Sequence, residues 1–121
     1  MTNILVIDDY PVTLRLLRHI VTHGGYNTFA ATNTTEGLEV LEENSIAVLI
    51  LDIDIPDMDG ISFLQQLRQE TNFHNLPVIM LTASGKDEDR IAAENAGADG
   101  FLTKPVSSSE LLGAINQHID P

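Results

Sequence analysis

The stretch Ala47–Gly60, AVLILDIDIPDMDG, constrains this chain more than any other. Its apolar run, Ala47 to Leu51, stops abruptly at Asp52. A short continuous apolar run bounded by turn residues reads as a strand covered on both faces, as in a parallel sheet. Pro56, Asp57, Asp59 and Gly60 then supply a loop, and a helical pattern begins at Ile61. Asp52 is thereby expected at the carboxyl end of a central strand, where open α/β sheets hold their ligands. An aspartate in that position is either a local cap or a reactive group, and the remaining segments discriminate between the two.

Those segments repeat the same rhythm. Asn3–Ile7 is an apolar strand ending in Asp8 and Asp9. Pro11 suits the first turn of a helix, where its missing N–H is no loss, and Leu14, Leu17, Ile20 and Val21 recur at helical spacing up to Gly24 and Gly25. Tyr26–Ala31 is a mixed strand suited to a sheet edge, and Asn33 with Glu36 starts a second helix in the manner of a capping box. Asp59 is placed to cap a third helix that buries Ile61, Leu64 and Leu67. Leu76–Leu81 is a fourth strand, followed by Thr82, Ala83 and Ser84 and by a helix over Asp87–Ala96 that stops at Gly97. Phe101–Lys104 is a fifth strand closed by Pro105. Ser107 and Glu110 form a capping box for a last helix burying Leu111, Leu112, Ile115 and Ile119. Five strands alternating with five helices imply one doubly wound parallel sheet with helices on both faces, filling a single domain over residues 1–121.

Composition narrows the function. The formal charge of −12 disfavours direct binding to nucleic acid or anionic lipid. No cysteine is present, which excludes disulfides, thiolate metal sites and thiol nucleophiles. No apolar run approaches the ~18 residues of a membrane span, and Asp8 and Asp9 interrupt the only candidate for a signal peptide, so a cytoplasmic protein is expected.

A parallel sheet points all its strands one way, so one edge gathers Asp8, Asp9, Asp52, Thr82 and Lys104. Singly, each has an ordinary explanation, such as Asp9 capping the helix at Pro11. Jointly they make a chemical site. Two carboxylates ~4 Å apart repel by about 4 kcal/mol at an effective dielectric near 20. Oxygen ligands of this kind suit a hard divalent cation, and Mg²⁺ in particular combines one or two carboxylates with a phosphate. Lys104 offers a point charge and Thr82 a hydroxyl for phosphoryl oxygens. The combined logic is phosphoryl transfer onto the Asp52 carboxylate.

The Asp8-Asp9 pair, LDIDIPDMDG with Asp52, LTA with Thr82 and GADGFLTKP with Lys104 and Pro105 resemble the receiver domain of two-component response regulators. The resemblance covers essentially the whole chain. It implies a flavodoxin-like (βα)5 fold of three layers with strand order 2-1-3-4-5, for which a chemotaxis member of the family is a standard illustration. It further implies that Asp52 accepts a phosphoryl group from a sensor histidine kinase or a histidine phosphotransfer protein. Asp9, Asp52 and the backbone carbonyl of Asp54 would bind Mg²⁺, with Asp8 acting through water. Lys104 would contact the phosphoryl group, Thr82 and Phe101 would form the switch, and the Lys104–Pro105 bond would be cis. The surface read by a downstream effector would be Asp87–Ala96, Phe101–Lys104 and Ser109–His118, in a monomer or a phosphorylation-linked dimer. With nothing after Pro121, the expected output is protein contact, from a stand-alone regulator or the N-terminal piece of a longer one. The family often has Met at Ile55 and Tyr at Phe101; without a hydroxyl, Phe101 would be read by packing alone. Asp54 and Ser84 occupy positions that influence the lifetime of the acyl phosphate in the family.

The rival reading is an aspartate-nucleophile phosphohydrolase of the haloacid dehalogenase type, whose DxDx core resembles Asp52-Ile53-Asp54-Ile55. That motif normally follows a first strand, and 121 residues are short for its remaining motifs. A calcium loop starting at Asp52 would put Pro56 at a ligand position and Asp57 where glycine is needed. A flavin-binding module shares the sheet order, but carboxylates are wrong for cradling a flavin phosphate. His19 and His23 lack both a neighbouring glutamate and a third ligand, and read as surface histidines.

Overall fold

The structure is a computed structural model that describes residues 2–55 and 58–119. Met1, the loop residues Pro56 and Asp57, and the last two positions lie outside the described residues. The elements are β1 (Asn3–Ile7), α1 (Pro11–His23), β2 (Asn27–Ala31), α2 (Thr34–Glu43), β3 (Val48–Asp52), α3 (Gly60–Arg68), β4 (Val78–Thr82), α4 (Asp87–Ala96), β5 (Gly100–Thr103) and α5 (Ser108–Asn116). The five strands are parallel and ordered β2-β1-β3-β4-β5, so β3 is central and β2 is an edge, as expected.

Strand alternation builds two cores from one sheet. Leu5, Ile7, Leu49, Leu51, Val78 and Met80 face α2, α3 and α4, joined by Phe63, Leu64 and Leu67. Ile4, Val6, Val48, Ile50, Ile79 and Leu81 face the other way, onto Leu17, Ile20 and Val21 of α1 and Leu111 and Ile115 of α5. The continuous apolar runs of β1, β3 and β4 are thus explained, since these strands have no solvent face.

Most helix ends follow their capping residues. Pro11 opens α1, Asn33 accepts from the Glu36 N–H, Asp59 accepts from the Ser62 N–H, and Ser107 with Glu110 forms a reciprocal box. Gly97 ends α4 at φ 104°, a left-handed conformation that favours glycine. One expectation and one alternative reading are not met. Glu36 reaches back to the N–H and hydroxyl of Thr32, not to Asn33, so α2 has only half a capping box. Asp9 does not cap α1; the N-cap residue is Tyr10, whose N–H is taken by Asp8.

Strand boundaries shift by one or two residues. β4 begins at Val78 because Leu76 and Pro77 belong to the approach. There Arg68, at the end of α3, donates to the carbonyls of Phe73, Leu76 and Gly97 and pairs with Asp99 at 3.1 Å. Asp99 in turn accepts from the Val78 N–H. One guanidinium therefore fastens the end of α3, the end of α4 and the amino ends of β4 and β5. Arg68→Met takes away the side-chain donor of the Leu76 and Gly97 carbonyls, while the Phe73 carbonyl keeps the Leu76 N–H, and is expected to cost about 2–3 kcal/mol of stability. Urea unfolding monitored by circular dichroism checks this; a loss below about 0.5 kcal/mol would refute it.

Candidate functional site: an acidic pocket at the carboxyl edge of the sheet

β1 and β3 are neighbours in register, with Ile7 opposite Leu51, so Asp8 and Asp52 emerge side by side. Asp8 is fully buried and Asp52 is 4% exposed, whereas Asp9 faces solvent. Carboxylate oxygens of Asp8, Asp9 and Asp52 all lie within 4.8 Å of one another. β4 brings Thr82 to the same edge, buried, and the segment after β5 brings Lys104.

Lys104 Nζ lies 2.9 Å from Asp8 Oδ2 and 3.3 Å from Asp52 Oδ2. One ammonium thus bridges two buried carboxylates. The remaining oxygens are used locally: Asp8 Oδ1 accepts from the Tyr10 N–H at 2.9 Å, and Asp52 Oδ1 from the Asp54 N–H at 3.2 Å. Thr82 Oγ1 accepts from the Ser84 N–H at 3.0 Å. The Lys104 N–H donates to the Thr82 carbonyl at 2.7 Å, tying the lysine to the end of β4. The Lys104–Pro105 peptide bond is cis, as expected.

Gly60 holds the floor of the loop. Its N–H donates to the Ile53 carbonyl, and a Cβ there would sit 2.4 Å from the Asp52 carbonyl oxygen. Only glycine allows α3 to start that close to the strand that carries Asp52.

Electrostatics follow from this packing. Burial pushes the Asp52 carboxyl above the ordinary carboxylate range; Lys104 opposes the shift and the Asp8 charge adds to it. Burial alone would lower the Lys104 pKa, but the hydrogen bond to Asp8 and the charges of Asp52 and Asp8 together raise it. Lys104 is therefore a fixed positive charge, and Asp52 is a carboxylate whose negative charge the fold only partly compensates.

The donors are all oxygens, two of the three carboxylates are buried, and their charge exceeds that of the one lysine. This donor set fits a hard divalent cation such as Mg²⁺. The Asp54 side chain is exposed. Phe101 is half-buried on edge strand β5, against the core of the α2–α3–α4 side. The His19 and His23 rings lie 4.0 Å apart between centroids, tilted by 43°, but no third ligand joins them among the described residues. The close approach at Gly60 and the double engagement of Lys104 are the features the sequence did not announce; Gly60 directly after Asp59 was the available hint.

Fold and pocket together define a CheY-like α/β domain. A family profile described as the response regulator receiver domain matches residues 4–116. An uncharacterised 14.6 kDa protein of Leptolyngbya boryana is 38% identical over 116 residues, spanning 96% of this chain and 88% of that protein. The KDP operon transcriptional regulatory protein KdpE of Escherichia coli K12 is 39% identical over 111 residues, spanning 92% of this chain. The match covers 48% of KdpE, so the chain spans about half the length of that regulator. The solved chemotaxis protein CheY4 of Vibrio cholerae superposes with a TM-score of 0.92 at 26% identity, covering 98% of this chain and 99% of that one. The chain belongs to the response regulator receiver domains of two-component systems. Members of this family are signalling switches rather than conventional enzymes, which leaves the phosphohydrolase reading without support.

The raised Asp52 pKa carries a stability consequence. An acid whose folded pKa lies above its unfolded value destabilises the fold once pH exceeds the unfolded value, and the penalty vanishes below it. In EDTA, Asp52→Asn is expected to raise Tm at pH 7–8, with Lys104 still paired to Asp8. The gain should shrink towards zero as pH falls to about 4, near the unfolded aspartate pKa. Calorimetric scans across pH check the sign; a lower Tm for the variant at pH 7 would contradict it.

Proposed function

We propose that this chain is a phosphoacceptor switch in which Asp52 takes a phosphoryl group from a phosphohistidine of a sensor histidine kinase or a histidine phosphotransfer protein. The observation that carries the reading is the buried Asp52 carboxylate, 3.3 Å from the Lys104 ammonium and grouped with the oxygens of Asp8 and Asp9. An Asp52 carboxylate oxygen bonds to phosphorus while the P–N bond breaks; the electron pair stays on the imidazole, which takes up a proton in solvent. Asp9 and Asp52, with the Asp54 backbone carbonyl, would hold Mg²⁺, and Asp8 would act through water. When bound, the ion supplies positive charge to the phosphoryl oxygens.

The protein's own groups do the remaining work. Lys104 is already oriented by Asp8 and faces Asp52, so it meets the transferred oxygens without reorganisation. The Thr82 hydroxyl turns from the Ser84 N–H to donate to the phosphoryl group, whose added charge is about −1.5 to −2. Thr82 leaves the 83–86 loop as it turns, and Phe101 moves inward into the space alongside. Their coupled motion biases the surface of α4, β5 and α5 toward a downstream effector protein. Monomer and phosphorylation-linked dimer are both compatible with this surface, and a cytoplasmic location suits a histidine-kinase partner. No described helix is long and apolar enough to cross a membrane.

Intact-mass measurement after incubation with Mg²⁺ and a small acyl phosphate tests the proposal. One phosphoryl group should add to the wild type, none to Asp52→Ala, and none in EDTA. Repeated turnover of a phosphate ester would instead favour a phosphohydrolase. A second expectation concerns lifetime. The exposed Asp54 side chain flanks the acceptor, so Asp54→Asn should leave phosphorylation intact but change the dephosphorylation rate at least about threefold, on the order of 0.6 kcal/mol in barrier. Phosphate release after donor removal reads this directly, and an unchanged rate would sink it.

A further inference from the structure

On the side of the sheet opposite α1 and α5, α3 packs closely on α4, whereas α2 and α3 stand apart and leave a seam. Its upper part is a cavity of about 270 Å³ floored by Leu38, Met58 and Phe63. A smaller cavity of about 80 Å³ shares Leu38 and Phe63 and continues down to Phe73. Phe73 also lines a third, of about 310 Å³, at the lower end. The first two form one groove between α2 and α3 with Leu38, Phe63 and Leu67 along it, and the third continues below it among the loops that follow the two helices.

The lips of this groove are acidic. Glu39 and Glu42 of α2 line one side and Glu70, just after α3, the other; all three are exposed, and no residue lining the three cavities is basic. None of the ion pairs between described residues engages these glutamates. Their placement is locally unfavourable. Glu39 and Glu42 are like charges three apart on one helix, and Glu42 and Glu43 sit in the last turn of α2, which has no basic residue to offset the negative end of the helix dipole. An apolar trough between uncompensated negative lips is complementary to a helix with apolar anchors on one face and lysines or arginines flanking them.

We propose that the α2–α3 groove docks a cationic amphipathic helix of a partner protein. The occupant's apolar side chains lie over Leu38, Met58 and Phe63, and its cationic side chains pair with Glu39, Glu42 and Glu70. This surface is distinct from the acidic pocket and does not depend on the phosphoacceptor role of Asp52. Its upper end reaches Met58, in the loop that follows β3.

The test uses the full chain and a designed 14-residue helical peptide of leucines and lysines as probe, with a leucine–glutamate peptide of the same pattern as its opposite. Backbone and methyl NMR titration should show the cationic peptide shifting Leu38, Met58 and Phe73, while the anionic one shifts nothing. Replacing Glu39, Glu42 and Glu70 with glutamine should weaken binding roughly tenfold. Neutralising three acids of α4 instead (Glu88→Gln, Asp89→Asn, Glu94→Gln) removes the same net charge and should leave affinity within about twofold. Equal weakening by both triple variants, or shifts confined to other faces, would overturn the proposal by reducing the interaction to net charge. Both sets are exposed or half-exposed, and the circular dichroism of each variant confirms that the fold is intact.

Discussion

The structure turns on a single ammonium. Asp8 and Asp52 are driven together by strand register, not by affinity, because β1 and β3 pair in a sheet whose core they share. Lys104, 2.9 and 3.3 Å from the two, is the cation that offsets that convergence, with the Tyr10 and Asp54 N–H groups helping locally. The compensation is incomplete, since burial and the Asp8 charge still hold the Asp52 carboxyl above its ordinary range. A pocket left with surplus negative charge is ready for a cation, and a carboxylate left partly uncompensated is ready for an electrophile. Hydrophobic burial elsewhere sustains this arrangement: the strands that carry Asp8, Asp52 and Thr82 are among the most deeply buried segments of the chain.

Sheet polarity does the assembling. Every site residue lies at or just beyond the end of a strand, so no helix needs to contribute a side chain to the pocket itself. The helices act indirectly. α3 begins against the Asp52 carbonyl because Gly60 has no side chain, and α1 begins where Asp8 has already engaged the Tyr10 N–H. The pocket is therefore anchored in backbone geometry, which rotamer changes at the surface do not disturb.

Much of this was legible in the sequence, for specific reasons. Strands buried on both faces leave continuous apolar runs, so β1, β3 and β4 announced themselves, and the polar residue ending each run marked the site. Caps were readable where the side chain acts on its own helix, as at Asn33, Asp59 and Ser107. What escaped was long-range. Nothing local indicates that Arg68 serves four carbonyl and carboxylate partners up to thirty-one positions away, or that Lys104 bridges two acids from different strands. Strand starts shift for a related reason: the Pro77 carbonyl already accepts from the Leu49 N–H while the ladder begins at Val78, and which residue opens a strand depends on its neighbour, which period-two patterns do not encode. The alternative in which Asp9 merely caps α1 is not what the structure shows: Tyr10 is the N-cap residue, and its N–H goes to Asp8.

Arg68 has one more consequence. It seals the amino ends of β4 and β5, the edge of the sheet farthest from the carboxylates, with a web of neutral carbonyls and a half-exposed aspartate. This cation web and the acidic cluster thereby sit at opposite poles of the molecule. A substitution among the carboxylates leaves the Arg68 bolt between α3 and α4 untouched, because that bolt lies at the other end of the sheet.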